Sequence, residues 1–447
     1  MKKYLSVLSL ALALLLTASA CSAAPSSSAP AASAPAAASS AAPESASPAS
    51  ASAEPVTITF DQFSGSGDNE QYLQKMIDAY KAKNPNVTIQ MQSYGYNDYF
   101  TQLTAKVSGG KAADVFELNF ENFVSYAKKG ALMPLDDIIK QQGINTSAYN
   151  QTALKAFNAD GKQYGVPNSF STVLLIYNKD LFDKAKVAYP TDDWKWEDAM
   201  EAAKKIRALG KNIYGYYHPL SYNEFYKVAK QNGGGLISDD GKSFTMDTPA
   251  NVESLQYMVD MQNKLNVMPT PAQVERVANA DWDLFKSGRL GMIVTGCWAF
   301  PDFTRDCSFK WDVAVEPGHK QKATHFFSNG YVINKDSKVA AEAAKFAAFI
   351  SSDKESTQIR LDAAWELPPV NDQSIVDQYT AKTPPANRKA VFKSLDYLVT
   401  PQVITQYTEL QDIVGKHLDA AAAGTVTPAQ ALKDMQAECQ KKIDLSK

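Results

Sequence analysis

The feature that most restricts the fold is an alternation of two hydrophobic periods that begins at Val56. Val56, Ile58 and Phe60 alternate with Thr57 and Thr59, the period of a strand. Leu73, Met76, Ile77 and Tyr80 follow at helical spacing, and Asn84-Pro85 stops that helix before a second strand over 87–91. Strand, helix, strand is a βαβ opening, which puts the loop 61–67 at the carboxyl end of the first strand, where open α/β sheets bind ligands. The pattern continues with a helix over 99–107, a strand over 114–118 and a helix over 122–129 closed by Gly130. Gly165-Val166-Pro167 reads as a break and 173–177 as a buried strand. Helices are expected over 196–209, 252–265 and 338–350, with a strand over 327–333. Thr427-Pro428-Ala429-Gln430 has the residues of a helix start: a threonine cap, proline at the first position and glutamine at the capping-box position. The alternation predicts an α/β fold with mostly parallel sheets.

Residues from 54 onward, roughly 390 of them, exceed what one hydrophobic core supports, so two lobes are expected. The formal net charge is -3 and no long basic run occurs, which argues against nucleic acid as a partner. At the front, Lys2 and Lys3 precede an apolar run over 5–16 and the small residues Thr17-Ala18-Ser19-Ala20. The run is too short to span a bilayer, so 1–20 reads as an export signal. Cys21 at its end is the mark of a bacterial lipoprotein, whose lipid-modified cysteine anchors the chain to a membrane. Such signals usually carry Leu where Ala18 stands, so plain signal cleavage is the alternative. Residues 22–54 are almost all Ala, Ser and Pro, lack the large side chains that offset backbone ordering, and read as a tether. Cys297 and Cys307 could close a small loop around Trp298 in an exported protein, and the sequence leaves their pairing open.

The stretch FKSGRLGMIVTGCWAF, 285–300, ends an apolar strand on Gly296-Cys297 and places Trp298 at its mouth. A strand-end aromatic faces the crevice of an α/β fold and offers a flat plate to a ligand. Enzyme signatures are lacking. His218, His319, His325 and His417 show no HExxH spacing, and no GxSxG elbow is present. The run Gly233 to Ser243 has Leu236 where a phosphate loop needs glycine, and reads as a turn-rich hairpin. Asp61 and Glu121 would make a glycosidase only if they converged across a bond. No catalytic residue, metal or cofactor is expected.

Several segments, taken together and in order, carry a family resemblance: VTITF; SGGKAADVFELN with YAKKGALMPLDD; VPNSFSTVLLIYNKDLFDKA; FKSGRLGMIVTGCW; SNGYVINKDSK; and LPPVN. From Val56 onward the chain resembles the extracellular solute-binding proteins of sugar ABC importers, the group that includes maltose-binding protein. The resemblance implies a two-lobe periplasmic-binding-protein-like α/β fold of the class II type, with the ligand in a cleft between lobes. The first lobe would comprise 55–165 plus 325–373 and the second 170–322 plus 377–447. Val166-Pro167-Asn168 and the stretch around Pro368-Pro369 would be hinge crossings.

It further implies a sugar or oligosaccharide ligand, ABC permease subunits in the membrane with a separate cytoplasmic ATPase, and a monomer that is extracytoplasmic and anchored through Cys21 to the outer face of the bacterial cytoplasmic membrane. The ligand residues it suggests are Asp61, Gln62, Phe63, Ser64 and Gly65 after the first strand, Asn119 and Glu121 after the third, and Asn168 and Ser169 at the first crossing. Tyr222 and Trp298 would come from the second lobe, with Asn329, Gly330, Trp365 and Glu366 completing the cleft; Tyr407 lies where the family can add an aromatic. These types suit a sugar, which offers hydroxyls in fixed directions and C–H faces to planar polar groups and aromatic plates. A tethered surface adhesin is the other reading of the Ala/Ser/Pro segment, although repeated modules are lacking.

Overall fold

The computed structural model describes residues 54–446, apart from 66, 271–272, 274–279 and 403. The expected signal peptide, Cys21 and nearly all of the tether lie outside the described residues.

Strands β1 (Val56–Gln62), β2 (Val87–Ser93) and β3 (Val115–Asn119) form a parallel set, with Phe60 opposite both Met91 and Val115. The helix Glu70–Lys83 crosses from β1 to β2 and buries Leu73, Met76, Ile77 and Tyr80, the residues whose spacing marked it in the sequence. A small hairpin follows, β4 (Asn158–Ala159) with β5 (Lys162–Gln163). Then comes β6 (Gly165–Asn178), fourteen residues long and buried throughout.

Strand β6 organises the molecule. Its first half, up to Thr172, pairs with β10 (Thr324–Ile333), which in turn pairs with β3. Its second half, from Val173, lies between β8 (Leu290–Gly296) and β9 (Trp311–Ala314), and β7 (Tyr214–Tyr217) extends that side. Short β11 (Leu398–Val399) runs beside the start of β10. Two sheet regions thus share β6, and each has its own helices. Val173, Leu175 and Tyr177 pack with Met292 and Val294 on one face, whereas Leu174 and Ile176 pack with Ile293 on the other. Burial on both faces is why this strand reads as a continuous apolar run.

The structure departs from two expectations. Gly165-Val166-Pro167 is the start of β6 rather than a break. The register slips between Asn329, opposite Ser169, and Gly330, opposite Pro167. A bulge at this point tolerates the missing proline N–H, which would otherwise interrupt the ladder. The sheet is also mixed rather than mostly parallel, because β10 is antiparallel to both β3 and β6, and β6 is antiparallel to β8 and β9. A chain that leaves one sheet region along a strand and returns along its neighbour must reverse direction. The thiols of Cys297 and Cys307 are both free. They lie at opposite ends of the helical turn Cys297–Ala299 and the helix Phe300–Asp306. Ten residues of helical rise, about 15 Å, exceed what a disulfide spans.

Candidate functional site

The turn after β8 explains the Gly-Cys-Trp step. A Cβ on Gly296 would lie 1.9 Å from Cζ3 of Trp298, so the indole folds back over a position that must have no side chain. Cys297 points into the core, where burial pushes its thiol up to about 12. Trp298 itself is half-buried, with Phe327 edge-on to its ring at 5.3 Å. It lines a cavity of about 880 Å³ together with Gly67, Asp68, Pro301, Arg305 and Arg388. At the rim, Arg305 Nη1 meets Asp68 Oδ2 at 2.6 Å, joining residues 237 positions apart.

From Trp298 a line of contacts leads to a buried carboxylate. Phe327 lies 4.1 Å from the ring of His325, and His325 Nε2 is 3.2 Å from Glu121 Oε1. Glu121 is only 1% exposed, and its Oε2 has no hydrogen-bond partner among the described residues. Its position follows from local sequence: Asn119 caps the helix Phe120–Lys128, accepting from the Asn122 backbone N–H, which sets Glu121 in the first turn. Tyr222 and Tyr407 meet edge to face at 5.5 Å beside it. Desolvation first, and the charge of Glu121 among the further causes, holds the hydroxyls of Tyr222 and Tyr407 above the usual tyrosine range. Tyr222 opens the helix Tyr222–Gln231, and beneath it Lys227 Nζ lies 2.6 Å from Glu224 and 2.7 Å from Glu316. His218, Glu224 and Glu316 bring ligand-type atoms within 4.8 Å of one another, but the ammonium of Lys227 already supplies positive charge there.

The loop after β1 is braced internally. Asp61 pairs with Lys106 at 2.7 Å, and Gln62 accepts from the Gly65 N–H at 2.6 Å while donating to Ser93. Phe63 sits among Tyr96, Tyr99 and Phe100. The Phe63 and Ser64 N–H groups both donate to Glu117 Oε2 at 3.0 Å, and Asn168 donates to Glu117 Oε1 at 2.8 Å. Glu117, overlooked in the sequence, therefore ties this loop to β6. Its signal was a carboxylate inside a buried strand, which only hydrogen bonds make tolerable. Asp114 is likewise a strut, accepting from Thr59 and Ser337.

The structure thus brings Trp298, Glu121, Tyr222 and Tyr407 into one connected region and adds His325 and Phe327. Asn168 and Ser169 line the shared strand, the carbonyl of Ser169 accepting from Ser328, and Asn329 lies between Asn119 and Ser169. Gly330 is required by packing, since a Cβ there would come 2.6 Å from Phe157. Trp365 is in the core under the Arg360 guanidinium at 4.1 Å. Burial holds the neighbouring Glu366 carboxyl above its usual range, with Arg360 opposing.

Comparison with known proteins gives consistent matches. Residues 65–356 match the family model described as bacterial extracellular solute-binding protein. An ABC substrate-binding protein from Listeria monocytogenes, solved in complex with cycloalternan, is 42% identical with a TM-score of 0.84, covering 87% of this chain and 99% of that one. The arabinooligosaccharide-binding protein of Bacillus subtilis is 23% identical over 86% of this chain and 92% of its own length. The GacH receptor of Streptomyces glaucescens, 21% identical over 87% of this chain and 98% of that one, shares the fold with a TM-score of 0.77.

Proposed function

The chain belongs to the bacterial extracellular solute-binding proteins, and from that premise we propose that it captures an oligosaccharide between its lobes and delivers it to an ABC importer. The lobes are the two sheet regions that share β6, with bounds near 55–165 plus 325–373 and 170–322 plus 377–447. The observation that carries the reading is Trp298, a half-buried indole on the wall of an 880 Å³ cavity, which lies within the usual size range of small-molecule sites. Glu121 and Tyr222 supply the planar and hydroxyl groups that a sugar needs.

The protein works as a receptor and carries out no chemistry on the sugar; the members of its family are binding proteins. Its partners are permease subunits in the membrane, and it acts as a monomer outside the cytoplasm, held to the membrane by a lipid on Cys21. The 42% identity to a cycloalternan-bound protein makes cycloalternan the first ligand to try. Trp298→Ala should weaken its binding about tenfold or more in a calorimetric titration, because a stacked aromatic face is lost along with its buried area. Unchanged affinity in that variant would remove Trp298 from the site.

A further inference from the structure

Two buried side-chain atoms on the line of contacts behind Trp298 have no hydrogen-bond partner among the described residues. Glu121 is 1% exposed and His325 is fully buried, and both Glu121 Oε2 and His325 Nδ1 lack a hydrogen-bond partner among the described residues. The contact between them fixes what each can offer. With Glu121 as a carboxylate, which only accepts, the hydrogen in the 3.2 Å contact would sit on His325 Nε2. In that tautomer of a neutral ring Nδ1 would carry no hydrogen and would offer a second acceptor. Around them are the rings of Phe120 and Phe327 and the hydroxyl groups of Tyr222 and Tyr407. Among the described residues, no Lys or Arg forms an ion pair with Glu121.

We infer that His325 is a specificity-determining residue: with Glu121 it forms a pair of acceptors that reads two hydroxyl donors of the ligand and turns away a phosphate or carboxylate. This rests on the saccharide reading above and narrows it to ligands whose inner end is neutral and rich in hydroxyls. A phosphate would bring more acceptors and more negative charge to a place that already has both. Leaving buried acceptors unmet is costly, and this cost is how such a site rejects an analogue that lacks the donor. The line from Glu121 through His325 and Phe327 to Trp298 gives the ligand an inner polar grip and a flat outer plate. His325 thus also positions Glu121, taking one oxygen and leaving the other to the sugar.

The test uses cycloalternan and glycerophosphocholine as probes in calorimetric titrations of the parent protein, His325→Phe and His325→Gln, with a thermal melt of each. Cycloalternan should bind the parent and glycerophosphocholine should not. The Phe variant, which keeps a flat ring but has no nitrogen, should bind cycloalternan at least tenfold more weakly; the Gln variant, which can donate to Glu121 and still accept, should stay within about threefold. A purely structural role would not produce that split between two variants that melt alike. Nitrogen-15 spectra of the imidazoles in the ligand-free parent, with His325 assigned by comparison with His325→Gln, should show a hydrogen on Nε2 and none on Nδ1. If His325→Phe binds cycloalternan as the parent does, or if the hydrogen is found on Nδ1, the role of His325 is refuted while the saccharide reading stands. If glycerophosphocholine binds and cycloalternan does not, both fall together.

Discussion

At the scale of single residues, the least replaceable position near the plate is Gly296. Its φ of -91° and ψ of 173° suit any amino acid, so the backbone is not the obstacle. The obstacle is the indole lying where a Cβ would be. Gly296→Ala should therefore push Trp298 out of place and weaken saccharide binding about as much as Trp298→Ala. Tryptophan fluorescence should shift in the same variant, and parent-like binding would show that the indole need not rest there. The exposure of Trp298 to a cavity was legible because a strand, a small residue and an aromatic follow one another in the chain. His325 was not legible, because a histidine ahead of two phenylalanines says nothing by itself. Its meaning comes from Glu121, 204 residues away. Trp365 shows the opposite case: it looks like a cleft residue by its place before Leu367-Pro368, and packs in the core because Arg360 covers its ring.

Among the elements, the helix Tyr222–Gln231 depends on a charge inside the protein. Lys227 is fully buried between Glu224 and Glu316, with His218 Nε2 2.9 Å from Glu224. Removing the ammonium leaves two buried carboxylates facing each other, so Lys227→Met should cost about 3–5 kcal/mol in denaturant unfolding. A loss below about 1 kcal/mol would mean that the cluster relaxes without it. The last two helices, Tyr407–Ala422 and Pro428–Lys442, are joined at Glu438, which Lys416 foremost, then Lys442 and His417, hold down at about 2. A depressed carboxylate contributes stability above its unfolded value of 4.5 and loses it as pH falls toward about 2. Glu438→Gln should thus melt below the parent at pH 6, and the gap should close across that acidic window; a constant gap would assign the effect to packing. Strands and helices with local periodicity, such as β1 and its following helix, were legible from the chain alone. The start of β6 at Gly165 was not, because the bulge that admits Pro167 is set by the register of β10, more than 150 residues later.

For the whole molecule, the two sheet regions that share β6 are the parts that would move in the proposed cycle. A ligand that touches both sides favours the closed arrangement only by the difference between its affinities for closed and open forms; a tenfold bias needs about 1.4 kcal/mol. In the proposed function, Glu121 and His325 on one side and Tyr222, Tyr407 and Trp298 on the other would supply that difference. The two-lobe plan was expected from length and from family resemblance, whereas the paired crossing strands depend on partners that no local pattern reveals. The most direct test of the central claim is a thermal melt of the purified protein against neutral oligosaccharides, cycloalternan first, with the sugar recovered and analysed afterwards. At 100 times its dissociation constant, a ligand bound only by the folded state adds about 2.7 kcal/mol. The account predicts a raised melting temperature with the sugar returned intact. A cooperative melt that no neutral saccharide shifts, or a sugar returned cleaved, would contradict it.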